Sequence, residues 1–286
     1  MKVLVTGVKG QLGYDVVAEL AKRGHTPVGV DIEEMDITDE AAVARTVSQV
    51  APDAVIHCAA WTAVDAAEDA ENVDKVRAVN AKGTACLANA CKAQGCKMMY
   101  ISTDYVFDGQ GTEPWHPDCK AYAPLSVYGQ TKLEGELAVS ETLEQYFIVR
   151  IAWVFGINGK NFIKTMLKLS DTYETLRVVS DQIGTPTYTY DLARLLVDMI
   201  FTDKYGYYHA TNEGGYISWA EFAEEIFKQA GKATKVIPVT TAEYGVSKAK
   251  RPFNSRLDKS KLIACGFEPL PTWQDALARY LKELEN

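Results

Sequence analysis

The sequence lacks the long apolar runs that a membrane protein needs. None of the 286 residues falls in a continuous apolar stretch long enough to cross a bilayer, which takes about 20 residues in a helix. The first residues, MKVLVTG, also lack the charged region, the apolar core and the small-residue cleavage site of a signal peptide. We therefore expect a cytoplasmic protein with no membrane partner.

Positive charge is also scarce. The chain has 30 Lys and Arg against 38 Asp and Glu, which gives a formal net charge of −8. Nucleic-acid surfaces need clustered basic side chains that neutralise phosphates, so we expect no nucleic-acid partner. One local exception is the segment 244–256, which contains Lys248, Lys250, Arg251 and Arg256. This cluster either binds a ligand diphosphate or is a plain solvated loop.

Residues that ligate metals or act as nucleophiles are few and dispersed. The 4 histidines stand far apart, and the 6 cysteines include no C-x-x-C pair. Zinc sites are built from closely spaced ligands of these types. We therefore expect reduced, mostly buried thiols, no resident metal and no hydrolase of the Ser-His-Asp type.

The first half of the chain shows a regular alternation of short apolar runs and longer amphipathic segments, which predicts alternating strands and helices. Strands are predicted at 2–6, 26–30, 54–58, 97–102 and 147–153, and helices at 11–24, 38–50, 73–93 and 126–144. Parallel strands joined by right-handed crossovers form a doubly wound sheet, which binds ligands at the carboxyl ends of its strands. We predict an α/β fold, a doubly wound parallel sheet of Rossmann type, with a second, smaller C-terminal substrate domain.

The alternation weakens after residue 153. Helices are predicted at 161–170, 189–201, 218–230 and 272–284. We assign a dinucleotide-binding domain to 1–153 and a mainly substrate-binding domain to 154–286. The boundary is interleaved, because we expect a segment of 176–203, with a strand at 176–179, to return to the main sheet.

A glycine motif, GVKGQLG at 7–13, follows the first predicted strand and opens a helix. Glycines in such a turn let the backbone turn tightly and let a pyrophosphate approach the helix N-terminus. Three glycines in a loop also have a purely structural interpretation, but this place between strand and helix is typical of a dinucleotide site. The cofactor contacts predicted here are Gly7, Gly10, Gln11, Leu12 and Gly13.

Asp31 ends the second predicted strand, where a carboxylate commonly binds the adenosine ribose hydroxyls. No Arg or Lys lies between Asp31 and Asp39 to pair with a 2′-phosphate. We therefore expect NADH or NADPH as cofactor, with NADH favoured; the alternative role for Asp31 is to cap the next segment. Position predicts further cofactor contacts at Asp36 and Ile37, near the adenine, and at Cys58, Ala59, Ala60 and Thr62, after the third strand.

Tyr128 and Lys132 form a Y-x-x-x-K pair, whose side chains share one face of a helix. Ketone reduction leaves negative charge on oxygen, so an acid must protonate that oxygen as the charge develops. We expect Lys132 to lower the pKa of Tyr128 toward neutrality and to hold the nicotinamide ribose. The alternative is a chance pair on an exposed helix. Thr103, which follows the fourth strand, supplies a hydroxyl to orient the substrate oxygen, and the order of these elements favours a reductase.

Beyond these residues, the sequence resembles the extended short-chain dehydrogenase/reductases, and within them the family of dTDP-4-dehydrorhamnose reductases. The motifs that carry the resemblance are VTGVKGQLG, HCAAWTAVDAAE, VNAKGT, YISTDYVFDG, SVYGQTKLEGE, RIAWVFG, NFIKTM and SDQIGTPT. The resemblance implies NAD(P)H-dependent reduction of the C4 keto group of dTDP-4-dehydro-6-deoxy-L-mannose to dTDP-L-rhamnose, the last step of dTDP-rhamnose biosynthesis. A nucleotide-sugar is then the substrate, and Thr103, Tyr128 and Lys132 are the catalytic set.

The same resemblance implies substrate contacts outside the catalytic set. It places Asp104 and Trp153 near the sugar, and Gln182 and Thr185 around the nucleotide-sugar site. For Trp153 the alternative is core packing, because an aromatic residue that follows an apolar strand is usually buried in the core.

Some family members form Mg²⁺-bridged dimers through a cluster of glutamates. In this sequence only Asp15 and Asp191 stand near the corresponding segments, and no full glutamate set can be matched. We therefore keep a homodimer as an expectation but do not expect Mg²⁺ to link it.

Three rival functions remain. A nucleotide-sugar dehydratase needs an additional acid and base, usually Asp and Glu directly after the threonine, whereas here Tyr105 follows Asp104. A nucleotide-sugar epimerase usually carries small residues after the fourth strand and a longer C-terminal region. The regulatory β subunit of methionine adenosyltransferase is similar to this family, but it binds a partner enzyme and has no need of the catalytic set.

Overall fold

A computed structural model describes residues 1–245 and 247–285. The strands are β1 Lys2–Thr6, β2 Thr26–Val30, β3 Ala54–His57, β4 Lys97–Thr103, β5 Tyr146–Ile151, β6 Val154–Phe155, β7 Thr175–Val179, β8 Ile183–Gly184, β9 Thr187–Tyr188, β10 Gly206–His209, β11 Ile217–Ser218 and β12 Lys235–Val239. The α-helices are α1 Gln11–Lys22, α2 Glu40–Val50, α3 Val73–Arg77, α4 Thr84–Gln94, α5 Val127–Thr142, α6 Phe162–Ser170, α7 Thr189–Ile200, α8 Trp219–Gln229, α9 Thr241–Tyr244, α10 Ser260–Ala264 and α11 Trp273–Leu284.

The main sheet is parallel throughout and has the strand order β10-β5-β4-β3-β1-β2. Its order reverses between β1 and β3, and ligands of such sheets bind at the carboxyl ends of the strands beside the reversal. Side chains of α1 and α7 pack on one face, and those of α2, α4 and α5 on the other. The prediction of a doubly wound parallel sheet is confirmed.

One strand was assigned to the wrong sheet. We expected 176–179 to return to the main sheet, but β7 pairs with β12 in a separate two-stranded sheet. Inner strands of a parallel sheet are buried on both faces, whereas Thr175 and Arg177 of β7 are exposed. The sixth strand of the main sheet is instead β10, whose four residues, GYYH, are too few to show a period.

A second hydrophobic core lies in the C-terminal half. It contains side chains of α6, α8 and α11, with Phe155, Phe222, Trp273 and Tyr280 among the buried aromatics. Helix α7, by contrast, lies in the segment expected to return and packs with α1 in the core of the main sheet. The division of the chain at residue 153 stays a prediction. No helix in the described ranges is both long and apolar enough to cross a membrane.

Helix α5 lies very close to β4 because two of its residues are glycines. A Cβ atom at Gly129 would lie 2.3 Å from the carbonyl oxygen of Tyr105, and one at Gly135 would lie 2.4 Å from the hydroxyl oxygen of Tyr100. Contacts under 3.0 Å are not tolerated by real Cβ atoms. The two glycines therefore set the distance between α5 and the end of β4, with Lys132 between them in sequence.

The N-terminus of α5 is capped from two directions. The Ser126 hydroxyl accepts the Gly129 N–H at 3.1 Å, and the Glu68 carboxylate accepts the Val127 N–H at 2.7 Å. Both bonds satisfy N–H groups that have no partner inside the helix. Glu68 comes from the loop after β3, so this loop and the catalytic helix are joined directly.

The helix predicted at 73–93 is interrupted by a π-helical turn at Ala78–Gly83. Within this turn, Asn80 accepts the Trp61 N–H at 2.8 Å and donates to the Thr131 hydroxyl at 3.2 Å. Such π turns occur frequently at functional sites. Here the turn connects the loop after β3 to the middle of α5.

Candidate active site

The carboxyl ends of β1 to β5 open into one cavity of about 890 Å³. This volume lies in the range that holds small molecules and cofactors. The predicted site residues that line the cavity are Gly7, Gly10, Gln11, Leu12, Gly13, Asp31, Asp36, Ile37, Cys58, Ala59, Ala60, Thr62, Thr103, Asp104, Tyr128, Lys132 and Trp153. The structure thus brings together residues from five strand ends that the sequence assigned to one site.

The glycine turn leaves an open cradle in the wall of this cavity. Gly7 has a φ of +69°, and a Cβ atom there would lie 2.7 Å from the backbone of Ala59. A Cβ atom at Gly13 would lie 2.3 Å from the carbonyl oxygen of Gly7. Gly10, the N-cap of α1, puts no side chain between the helix N-terminus and the cavity. A dinucleotide pyrophosphate fits such a cradle.

Asp31 lines the cavity beside the glycine turn. Its carboxylate accepts the Lys9 N–H at 2.9 Å and the Ile32 N–H at 2.9 Å. The Lys9 ammonium forms an ion pair with Glu33, and both side chains are more than half exposed. Sequence reasoning missed Lys9, because it sought a basic residue only after Asp31. A lysine inside the glycine motif was the signal that could have found it.

Tyr128 and Thr103 lie together on the cavity wall. Thr103 donates its hydroxyl to Asp104 at 3.0 Å, and Tyr105 packs edge-on against the Tyr128 ring at 5.4 Å between centroids. Burial raises the pKa of Tyr128 above its usual value, the Asp104 carboxylate adds to this rise, and a hydrogen bond with Thr103 opposes it.

The expectation that Lys132 brings the pKa of Tyr128 toward neutrality is therefore wrong, because burial is the larger effect. A raised pKa keeps the phenol protonated at neutral pH. That is the form a proton donor needs.

Lys132 is a buried residue of the cavity wall. Its ammonium donates to the carbonyl oxygen of Ile101 at 2.7 Å and lies 4.1 Å from the ring centroid of Tyr100. Burial lowers the pKa of Lys132 to about 7, and the negative charge of Glu136 opposes this shift. Glu136 itself is fully buried, and both of its oxygens accept from the Arg150 guanidinium, at 2.8 and 2.7 Å.

Asp104 has one carboxylate oxygen that is buried and lacks a hydrogen-bond partner among the described residues. Burial raises the pKa of this carboxyl to about 6, against hydrogen bonds from Ser255 and Thr103. Buried polar atoms are nearly always satisfied, so an unsatisfied one on a cavity wall points to a ligand contact.

Trp153 is both exposed to the cavity and packed against another aromatic side chain. It lines the cavity, and its ring also stacks on Trp219 with 3.7 Å between centroids. Its backbone has a φ of +51°, which is rare for a bulky residue. Gly184 makes room for the indole, because a Cβ atom there would lie 2.8 Å from the Trp153 ring.

Two residues implied by the resemblance are not brought to the cavity. The buried Gln182 side chain donates to the Thr241 hydroxyl at 3.1 Å, and Thr185 donates to the carbonyl oxygen of Gly215 at 3.1 Å. Neither residue is part of the cavity wall. Through these two hydrogen bonds the SDQIGTPT motif connects parts of the C-terminal half.

Two side chains of the basic cluster form ion pairs with the loop after β3. Lys248 forms an ion pair with Asp69, and Arg251 forms one with Asp65 at 2.7 Å. These bonds tie the segment to the loop after β3. Lys248 and Arg251 are not part of the cavity wall, and a contact of this cluster with a ligand diphosphate stays a prediction.

Within residues 1–245 and 247–285, no group of three or more His, Cys, Asp or Glu side chains could hold a metal ion. Asp15 and Asp191, the two acids considered for metal binding, are both buried. Asp191 accepts two bonds from the Arg279 guanidinium, at 2.9 and 2.6 Å.

Comparison with known proteins gives full-length matches. Residues 1–286 match the family model of the RmlD substrate binding domain. A dTDP-4-dehydrorhamnose reductase from Streptomyces griseus is 42% identical over 280 residues, which cover 96% of this chain and 91% of the relative.

Two crystal structures of dTDP-4-dehydrorhamnose reductases are also similar. One, from Clostridium acetobutylicum, has a TM-score of 0.96 at 41% identity and full coverage of both chains (100%). The other, from Bacillus anthracis and in complex with NADP, has a TM-score of 0.94 at 40% identity and covers 99% of each chain.

Proposed function

The chain belongs to the RmlD substrate binding domain family, and from this premise we propose that it reduces the C4 keto group of dTDP-4-dehydro-6-deoxy-L-mannose to dTDP-L-rhamnose. This reaction is the last step of dTDP-rhamnose biosynthesis and uses a reduced nicotinamide cofactor. The observation that carries the proposal is the placement of Thr103, Tyr128 and Lys132 on the wall of the cavity that the glycine cradle opens into.

The cradle and Asp31 are the residues that would hold the cofactor. Gly7 and Gly13 leave space for the pyrophosphate, and Asp31 faces the adenosine ribose. When bound, the reduced nicotinamide supplies a hydride to the carbonyl carbon. Lys132, in the cavity wall, would bind the nicotinamide ribose with its N–H groups.

Tyr128 is the proton donor. Its hydroxyl hydrogen moves to the C4 oxygen as negative charge develops there, so the ketone gains a hydride at carbon and a proton at oxygen. Thr103 binds the same oxygen and orients it toward Tyr128. Asp104 accepts a hydrogen bond from a sugar hydroxyl with its unsatisfied oxygen, and the Trp153 ring packs against the deoxysugar.

NADH is the preferred cofactor in this proposal. A 2′-phosphate beside Asp31 would meet the negative charges of Asp31 and Glu33, which raises the cost of binding NADPH. Lys9 opposes that cost, because its exposed ion pair with Glu33 is weak and easily exchanged for a phosphate. The preference is therefore a moderate one.

The test is to follow the loss of NADH or NADPH absorbance with the dTDP-keto sugar. We expect turnover by the wild type. For Tyr128→Phe the turnover rate should fall by a factor of about 10² or more, the scale for losing a positioned acid. If neither cofactor is oxidised, the rival function of a regulatory subunit that binds a partner enzyme is favoured. A homodimer stays a prediction that size measurements in solution would check.

A further inference from the structure

We propose that Tyr100 is a positioning residue for this reaction, because its ring fixes the position of the Lys132 ammonium at the active-site cavity. The proposal rests on the proposed function and assigns a role to a side chain outside the cavity wall. Tyr100 lies in β4 and is completely buried. It contacts both ends of Lys132, the ammonium and the backbone.

The first contact is between the Tyr100 ring and the Lys132 ammonium. The nitrogen lies 4.1 Å from the ring centroid, a distance typical of a cation–π interaction. The protein acceptor of this ammonium is the carbonyl oxygen of Ile101, at 2.7 Å. A buried ammonium loses its hydration, so the ring face replaces part of the stabilisation that water would give.

The second contact is between the Tyr100 hydroxyl and the backbone of α5. The hydroxyl donates toward the carbonyl oxygens of Lys132, at 3.3 Å, and Asn80, at 3.4 Å. Gly135 permits this arrangement, since a Cβ atom there would lie 2.4 Å from the hydroxyl oxygen. The hydroxyl thus limits how far the helix moves over β4, and the ring then limits where the lysine side chain ends.

Several charged or titratable groups surround Lys132, and the ring acts together with them. Those that interact with its charge are His57 and Cys58, from β3 and its end, and Glu136 on α5. Asp104 and Tyr128 line the same cavity. The Glu136 charge is largely compensated by Arg150, which binds both of its oxygens. His57 bonds to Thr6 and Thr84, and its pKa is lowered to about 3, so it stays neutral.

The sign of the effect follows from the ring's preference for the charged form. Burial lowers the pKa of Lys132 to about 7, and attraction by the ring opposes that fall. Without the ring, the ammonium loses its proton at a lower pH. Activity and NADH affinity fall at alkaline pH as Lys132 loses its proton. This alkaline limb of the pH profile would therefore move toward lower pH.

The test compares Tyr100→Leu with Tyr100→Phe and with Phe147→Leu. Tyr100→Leu removes the ring, while Tyr100→Phe keeps it and removes only the hydroxyl. Phe147→Leu is the matched control, because Phe147 is equally buried in the neighbouring strand but packs on the opposite side of the sheet. Each variant is measured for thermal unfolding, for kcat and KM against pH, and for NADH affinity against pH by fluorescence.

For Tyr100→Leu we expect the alkaline limb of kcat and of NADH affinity to move down by about one pH unit, the size of a buried cation–π contact. Tyr100→Phe keeps the wild-type limb and loses about twofold in kcat, as for one weak hydrogen bond. Phe147→Leu lowers the unfolding temperature but keeps the limb.

The proposal is overturned if Tyr100→Leu keeps the wild-type limb, or if Phe147→Leu shifts it to the same extent. NADH binding decides the matter without turnover. A wild type that binds NADH but never oxidises it would refute the proposed function, while the binding titration would still test Tyr100.

Discussion

The indole of Trp153 stacks on that of Trp219 with 3.7 Å between ring centroids and an interplanar angle of 13°. Trp153 follows β5 and has a φ of +51°, a backbone conformation that costs of order 1–3 kcal/mol in a bulky residue. Such a cost persists only where surrounding contacts enforce it. Trp219, the first residue of α8, supplies the main contact, so the C-terminal half of the chain shapes a wall of the active-site cavity.

We predict that Trp219→Leu weakens binding of the nucleotide-sugar. Without the stack, worth about 0.5–1.5 kcal/mol beyond burial, Trp153 relaxes away from its strained conformation. KM for the nucleotide-sugar should rise by about twofold to tenfold, the factor that corresponds to this energy, while KM for NADH stays close to wild type. Steady-state kinetics with each substrate varied in turn measures both constants.

The control is Trp273→Leu. Trp273 is buried in α11 and packs on Phe222, as Trp219 does. Its ring contact is with Phe222, whereas Trp219 also stacks on Trp153, which lines the cavity. Its loss should destabilise the fold without changing KM for the sugar. Equal rises in KM for both variants would show that the stack has no specific role.

We also predict that Glu33 and Lys9 set the strength of the cofactor preference. Glu33→Gln removes a charge that repels a 2′-phosphate and frees the Lys9 ammonium. KM for NADPH should therefore fall by about twofold to fivefold, the scale of one exposed charge pair. Lys9→Met should raise KM for NADPH and leave KM for NADH nearly unchanged. Salt should weaken both effects, because the charges are exposed.

A matched control for this prediction is Lys22→Met. Lys22 is an exposed lysine that forms an ion pair with Glu19, and both residues lie in α1. Lys22 is not part of the cavity wall. It should leave both KM values as they are. If Lys22→Met changed KM for NADPH as much as Lys9→Met does, a long-range effect of net charge would replace the local explanation.

The sequence predicts most of this site because its parts follow strand ends. Gly7, Asp31 and Thr103 each stand directly after a predicted strand, and parallel strands bring their carboxyl ends to one edge. Lys9 was missed because its partner Glu33 is close only after the turn folds back on β2. Tyr100 was missed because a buried aromatic in an apolar strand carries no sequence sign of its contact with Lys132.

The wrong assignments have similar physical reasons. Strand β7 has the composition of a sheet strand, but composition does not say which sheet it joins. The pKa of Tyr128 depends on how deeply the phenol is buried, which the spacing of Tyr128 and Lys132 cannot show. The substrate role of Gln182 stays a prediction; its side chain donates to Thr241, 59 residues away in the chain.

The last prediction concerns a trade between stability and activity at Asp104. Burial raises the pKa of its carboxyl from 3.8 to about 6 in the folded state. The folded protein therefore binds this proton more tightly than the unfolded chain, and stability falls as pH rises from about 4 to 6. Above pH 6 the buried carboxylate lowers the free energy of unfolding by up to about 3 kcal/mol, at 1.36 kcal/mol for each unit of the shift.

The variant Asp104→Asn, which stays neutral, should be more stable than the wild type at pH 7.5 but not at pH 4. Urea unfolding at both pH values measures this difference. The variant's turnover at pH 7.5 should fall, because the amide oxygen stays with the Thr103 hydroxyl and the NH2 group that replaces the second oxygen cannot accept a hydrogen bond from the sugar hydroxyl. Equal stability differences at the two pH values, or full activity of the variant, would contradict this account of the unsatisfied oxygen.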